Sequence, residues 1–257
     1  MSKNIITTVE NRAAWITINR PEQRNAINKD VLNEIDEALV KFEQDENVRV
    51  IIFTGAGEKS FAAGADIKQL SERKMLEALI PGMQKTYKNI ENCSKATIAA
   101  INGFALGGGF ELALACDIRI AAKEAKLGLP ELNLAIVPGA GGTQRLSRIA
   151  GKGKALEMIL LGKIIDGEEA ERCDIVSASV PKEELIDEAY KMAETIASKG
   201  PVAVHLAKIA VHRGSDVDLE TAQVIEKFAQ TIAFGTEDKQ EGTTAFLEKR
   251  KPDFQNK

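Results

Sequence analysis

Over residues 13–19, AAWITIN, apolar and polar positions alternate and β-branched and aromatic side chains predominate, so the pattern predicts a strand. The run RPEQRNAIN breaks it. Asn28 then stands where it can cap a helix whose one face carries Val31, Leu32, Ile35, Leu39 and Phe42. VRVIIFTG reads as a strand buried on both faces and ending at Gly55. A loop of small residues, AGEKSFAAGAD, follows, and a helix is expected over much of 70–92. ATIAAING predicts a second buried strand, FALGGGFELALAC a helix beginning near Gly108, and DIRIAA a third strand. This alternation of strand and helix points to α/β architecture. Beyond Pro181 the period changes: PKEELIDEAYKMAETIASKG, PVAVHLAKIAVHRG, DVDLETAQVIEKFAQTIAFG and TEDKQEGTTAFLEKRKP all read as helices. Their apolar faces have little sheet left to cover, so self-association is expected.

Composition narrows the function. The 257 residues suffice for one sizeable core, and 44% hydrophobic with 28% charged residues is ordinary for a globular protein. A net charge of −4 with both signs interspersed offers no footprint for nucleic acid. Cys93, Cys116 and Cys173 form no C-x-x-C, which argues against a disulfide scaffold or zinc knuckle; Cys116 reads as core. MSKNIITTVE lacks a continuous apolar segment, and no stretch approaches the roughly 20 residues of a membrane span. A cytoplasmic, membrane-free protein is expected. Trp15 and Phe228 are expected in the core. His205 and His212 stand in no G-x-S-x-G or H-E-x-x-H context and read as structural.

Three glycine clusters invite a phosphate-binding reading, and each fails it. GAGEKS has no glycine before Lys59, NGFALGGG does not fit G-x-G-x-x-G, and PGAGGTQRL has no lysine. What remains is Glu111, a lone carboxylate in the apolar run FELALAC. At the start of a helix it can serve as a first-turn carboxylate favoured by the dipole. It can equally stand beside free backbone N–H groups that hold an oxyanion, with glycine allowing a ligand close to the main chain. Glu131, after Pro130, presents the same pair of readings. Two such carboxylates in one cleft can divide acid and base work. Asp66 is placed to cap a helix starting near Ile67, behind Ala63, Gly64 and Ala65. If two such strand-to-helix turns lie side by side, each can offer one N–H to a single oxygen.

Taken in order, SFAAGADIKQL, INGFALGGGFELALACD, KLGLPELNLAIVPGAGGTQRL and AFLEKRKPDF closely resemble the enoyl-CoA hydratase/isomerase family, the crotonases. The resemblance covers nearly the whole chain. It implies a spiral of ββα units over 1–195 and a helical oligomerisation region over 196–257, giving homotrimers that can pair into hexamers. It implies an acyl-CoA thioester as ligand, with coenzyme A part of the substrate and no metal or redox cofactor. By position in the matched motifs, the N–H groups of Ala65 and Gly108 would form the oxyanion hole, and Glu111 and Glu131 would be the catalytic pair. Arg24, Ala26, Ala63, Ala65, Asp66, Ile67, Lys68 and Gly108 would bind the acyl-CoA, the AAGAD segment and the Arg24–Ala26 region meeting the CoA adenine and phosphates with Lys68 assisting. The implied reaction is reversible hydration of 2-trans-enoyl-CoA to 3-hydroxyacyl-CoA. Enoyl-CoA isomerisation, hydration of a branched or specialised acyl group, and an idle acyl-CoA- or RNA-binding member are the alternatives. The presence of both carboxylates favours hydration.

Overall fold

The computed structural model describes residues 4–257. Two sheets and the helices around them form its body. The larger sheet has the strand order β1(Ile5–Glu10), β2(Ala13–Ile18), β3(Val50–Gly55), β5(Ala96–Ile101), β7(Ile118–Ala122), β10(Ala178–Val180). Every neighbour from β2 onward is parallel, and β3 and β5 are buried along their whole length, as their unbroken apolar runs require. The smaller sheet runs β4(Ser60–Ala62), β6(Phe104–Leu106), β8(Lys126–Gly128), β9(Ile165–Asp166).

Chain order explains the two layers. β3 leads to β4, β5 to β6 and β7 to β8, each pair placing one strand in the larger sheet and one in the smaller. Helices follow each pair: α2(Ile67–Glu72) and α3(Met83–Asn92), then α4(Gly108–Ala115), then α5(Gly142–Leu160). This is the ββα spiral that the resemblance implies. α1(Lys29–Gln44) precedes it, capped by Asn28, whose side chain accepts from the Val31 amide at 2.9 Å; Val31, Leu32, Ile35, Leu39 and Phe42 are all buried.

Two elements differ from the sequence reading. The helix expected over 70–92 is three pieces: α2, a 3-10 turn Met75–Leu79, and α3. Pro81 has no amide to continue a helix and disfavours helical backbone at Ile80, so the chain restarts at Met83. β1 carries no signal of a buried strand because only Ile5 is buried; it is an edge strand joined to β2 through Asn11 and Arg12, both left-handed at φ 50° and 64°.

After α6(Gly167–Arg172) and the edge strand β10 the chain ends in helices. α7(Leu185–Ala197) lies on the larger sheet, while α8(Pro201–Gly214) and α9(Leu219–Phe234) pack mainly on each other, ahead of α10(Glu237–Leu247). His212 Nε2 and Lys208 Nζ of α8 meet the Asp117 carboxylate at 2.9 and 2.8 Å, pinning that helix to the body. Trp15 and Cys116 are core residues, but Phe228 is 64% exposed. It sits on α9, which has no sheet beneath it, so its apolar face remains open within one chain. No helix among the described residues is long and apolar enough to cross a membrane.

Candidate active site

The smaller sheet aligns the site. β4 and β6 are parallel with Ala62 opposite Ala105, and three further residues on each strand reach Ala65 and Gly108. β6 and β8 are parallel with Leu106 opposite Gly128, and three residues beyond Gly128 stands Glu131. Ligands of parallel α/β sheets bind outside the carboxyl ends of strands, and three such ends converge here.

A Cβ placed on Gly108 would lie 3.6 Å from the Ala65 amide nitrogen, so the two turns touch. The Ala65 segment is laced to the preceding loop: Ile27 N donates to Gly64 O at 2.8 Å and Asp66 N to Ile27 O at 3.1 Å. That pairing uses the Gly64 carbonyl and the Asp66 N–H, on either side of Ala65, and leaves the Ala65 N–H free. Gly108 is the first residue of α4, where an amide has no intrahelical acceptor. Gly107, at φ 52° and ψ −128°, makes the turn that aims it, a conformation closed to other residues. Behind it the buried Tyr87 hydroxyl donates to Gly108 O at 2.7 Å.

Glu111 is buried one turn into α4 and does not cap its own helix. Its Oε1 accepts from the amides of Ala140 and Gly142, both at 2.8 Å. Burial pushes its pKa above the usual carboxylate range, while those two amides and the Arg145 guanidinium oppose the rise. Glu131 opens a 3-10 turn, Glu131–Leu134. Its Oε1 would lie 3.1 Å from a Cβ on Gly107, and its buried Oε2 has no hydrogen-bond partner. Burial, with the charge of Glu111 added, lifts its pKa to about 7. A pair of carboxylates with different environments divides into proton acceptor and donor near neutral pH.

The segments expected to meet CoA lie together. Ala63 N donates to Arg24 O at 3.0 Å, and the Arg20 guanidinium donates to Ala26 O at 2.6 Å and pairs with Asp66 at 3.3 Å. Asp66 also caps α2, accepting from Lys68 N at 3.2 Å, so its carboxylate is engaged by the fold. Arg24, Ile67 and Lys68 are exposed at the rim. Among the described residues no group of three or more His, Cys, Asp or Glu is placed to hold a metal ion.

Sequence reading missed Tyr87, Arg145, Ala140 and Gly142. Tyr87 was detectable as a hydroxyl on the apolar stripe of a helix. The others act through main chain or through a partner far away in sequence, which spacing does not reveal.

Three parallel strand ends thus bring the Ala65 and Gly108 turns together with the buried Glu111 and the half-buried Glu131. Residues 8–257 match the enoyl-CoA hydratase/isomerase family, and the chain belongs to it. It is 47% identical to the crotonyl-CoA hydratase of Syntrophomonas wolfei, with 99% of each chain aligned. It is 46% identical to the short-chain-enoyl-CoA hydratase of Clostridium acetobutylicum, with 96% of each aligned. The crystal structure of an enoyl-CoA hydratase from Bacillus anthracis superposes with a TM-score of 0.95 at 43% identity, over 99% of this chain and 100% of the other.

Proposed function

We propose that the chain hydrates 2-trans-enoyl-CoA thioesters reversibly to 3-hydroxyacyl-CoA, with short acyl chains as substrates. The observation that carries this reading is the meeting of the Ala65 and Gly108 amides beside two carboxylates of raised pKa. The thioester oxygen sits between the amides. Glu111, ionised, takes a proton from water as its oxygen attacks C3. Negative charge moves onto the thioester oxygen, where the amides hold the enolate-like state more strongly than the substrate. Glu131, protonated, delivers its proton to C2. The two carboxylates exchange protonation states in the step, and the reverse reaction dehydrates by the same path. Arg24, Ala26, Ala63, Asp66, Ile67 and Lys68 border the CoA part, main chain nearest the thioester and the two cations at the rim. No cofactor beyond the substrate's own coenzyme A is required.

Incubation with crotonyl-CoA should remove the enoyl absorbance. Turnover of a 3-enoyl-CoA with none of crotonyl-CoA would replace this reading by isomerisation.

The region 196–257 serves as the assembly surface, in a cytoplasmic homotrimer or pair of trimers. Supporting this, Val224, Phe228 and Ile232 stand exposed at intervals of four on α9, an apolar stripe without a cover. Sedimentation should give three or six times the mass of one chain, and Phe228→Lys should shift the population toward monomer. A monomeric wild-type chain would contradict this part of the proposal.

A further inference from the structure

α3 presents Met83, Tyr87 and Glu91 at intervals of four residues, one stripe of the helix. The first two reach the centre. Met83 Sδ abuts Gly108, 2.8 Å from where its Cβ would stand, and Tyr87 holds the Gly108 carbonyl. Glu91 does not touch the site. It grips Arg145 of α5 in a two-pronged pair, Nε to Oε1 at 3.0 Å and Nη2 to Oε2 at 3.1 Å. The third arm of that guanidinium, Nη1, donates to Ala140 O at 3.0 Å. The Arg145 side chain is 13% exposed and packs on Gly141. Ala140 N and Gly142 N, on either side of Gly141, are the donors to Glu111 Oε1. No partner takes Glu111 Oε2 among the described residues, so the turn fixes one oxygen and leaves the other for water.

We propose that the Glu91–Arg145 fork is the positioning device for Glu111, holding the 139–142 turn so that its two amides set the orientation of the carboxylate. This rests on the reading of Glu111 as the group that activates water. A guanidinium suits the task because its planar fork makes two bonds to Glu91 while a separate N–H reaches a carbonyl; an ammonium cannot reproduce that geometry. Arg145 also acts by charge. It opposes the burial that raises the pKa of Glu111, whose other titratable neighbours are Tyr87 on α3 and Glu131. His212 and Arg213 of α8 add positive field at Glu91. Removing Arg145 therefore moves protonation of Glu111 to higher pH, and the acid limb of the rate profile with it.

The test is steady-state hydration of crotonyl-CoA by the full chain and five variants across pH. Arg145→Met should lower kcat about 10- to 100-fold with KM within about threefold, since a misdirected base loses most of its general-base advantage. Its acid limb should move to higher pH. Arg145→Lys should return the limb toward wild type while kcat stays depressed. Glu91→Gln should lower kcat several-fold, and combined with Arg145→Met it should add little, because the two act as one unit. Should Arg145→Met not fold, Arg145→Lys and Glu91→Gln decide by the same readings. Wild-type kcat and acid limb in these variants, with Glu111→Gln inactive, would overturn the proposal alone. Full turnover by Glu111→Gln would overturn the reading of Glu111 and the proposal with it.

Discussion

Replacing Glu131 by Gln is expected to lower kcat for crotonyl-CoA hydration by about 10²- to 10⁴-fold, the range of a positioned proton donor. KM should change little, because the proton moves only in the reacting complex. The amide is nearly isosteric and cannot supply a proton to C2. With a pKa of about 7, Glu131 in the wild type holds its proton in neutral and acidic solution and loses it above. Hydration should therefore slow as pH rises through 7, and the residual rate of the variant should not show that limb. At low pH a second fall should mark protonation of Glu111, so the wild-type profile is a bell belonging to the pair. The same substitution should stabilise the fold. In an unfolded chain a Glu titrates near pH ~4.3. Between there and about 7 the folded state keeps a proton that the unfolded state has released, so stability falls as pH rises through that window. Gln suffers no such loss. Allowing for solvent screening of a half-buried group, the variant should gain about 1 kcal/mol at pH 8, roughly 2–4 °C in Tm, and the gain should vanish toward pH ~4. A variant that turns over normally, or is less stable at pH 8, would show that Glu131 is a structural carboxylate.

That opposition between stability and activity explains why the glutamates stand out in the amino-acid sequence. A carboxylate inside an apolar run conflicts with the hydrophobic pattern, and such conflicts mark functional positions. Glu111 in FELALAC and Glu131 after Pro130 both stood out for this reason. The α/β class was equally legible, because β3 and β5 are largely apolar strands buried along their whole length, as a covered parallel sheet requires. Local signals sufficed for the caps at Asn28 and Asp66. The division into two sheets came only through the resemblance, since strands of three residues such as β4 and β6 are too short to carry a period.

What stayed hidden is instructive in a different way. The split of residues 67–92 followed from Pro81, a signal present in the sequence but outweighed by the helical propensity around it. Phe228 was misplaced because a side chain on an apolar helix face looks the same whether the cover is the same chain or another copy. Arg145 is farther out of reach: a charged residue on α5 gives no sign that its guanidinium braces a turn on one side and grips Glu91, 54 positions earlier, on the other. Side chains that act through main chain leave no pattern of spacing.

Gly108→Pro is expected to reduce kcat by about 10²- to 10³-fold relative to Gly108→Ala, the comparison that isolates one backbone donor. Both substitutions place the same Cβ against Met83 Sδ, the movable end of a flexible side chain, at 2.8 Å. Only proline also removes the N–H. The first residue of a helix is the one helical position where proline is tolerated, since the missing amide has no acceptor within the helix. Melting curves for the two variants should therefore be similar while their rates diverge. The divergence should fall on kcat more than on KM, because the thioester oxygen gains its charge as C3 is attacked. A CoA ligand bound as an enolate should lose affinity by a factor close to the loss in kcat, while an uncharged acyl-CoA should bind almost as before. Equal turnover by the proline and alanine variants would mean that the Gly108 amide holds no oxyanion. The meeting of the β4 and β6 strand ends would then need another chemical purpose.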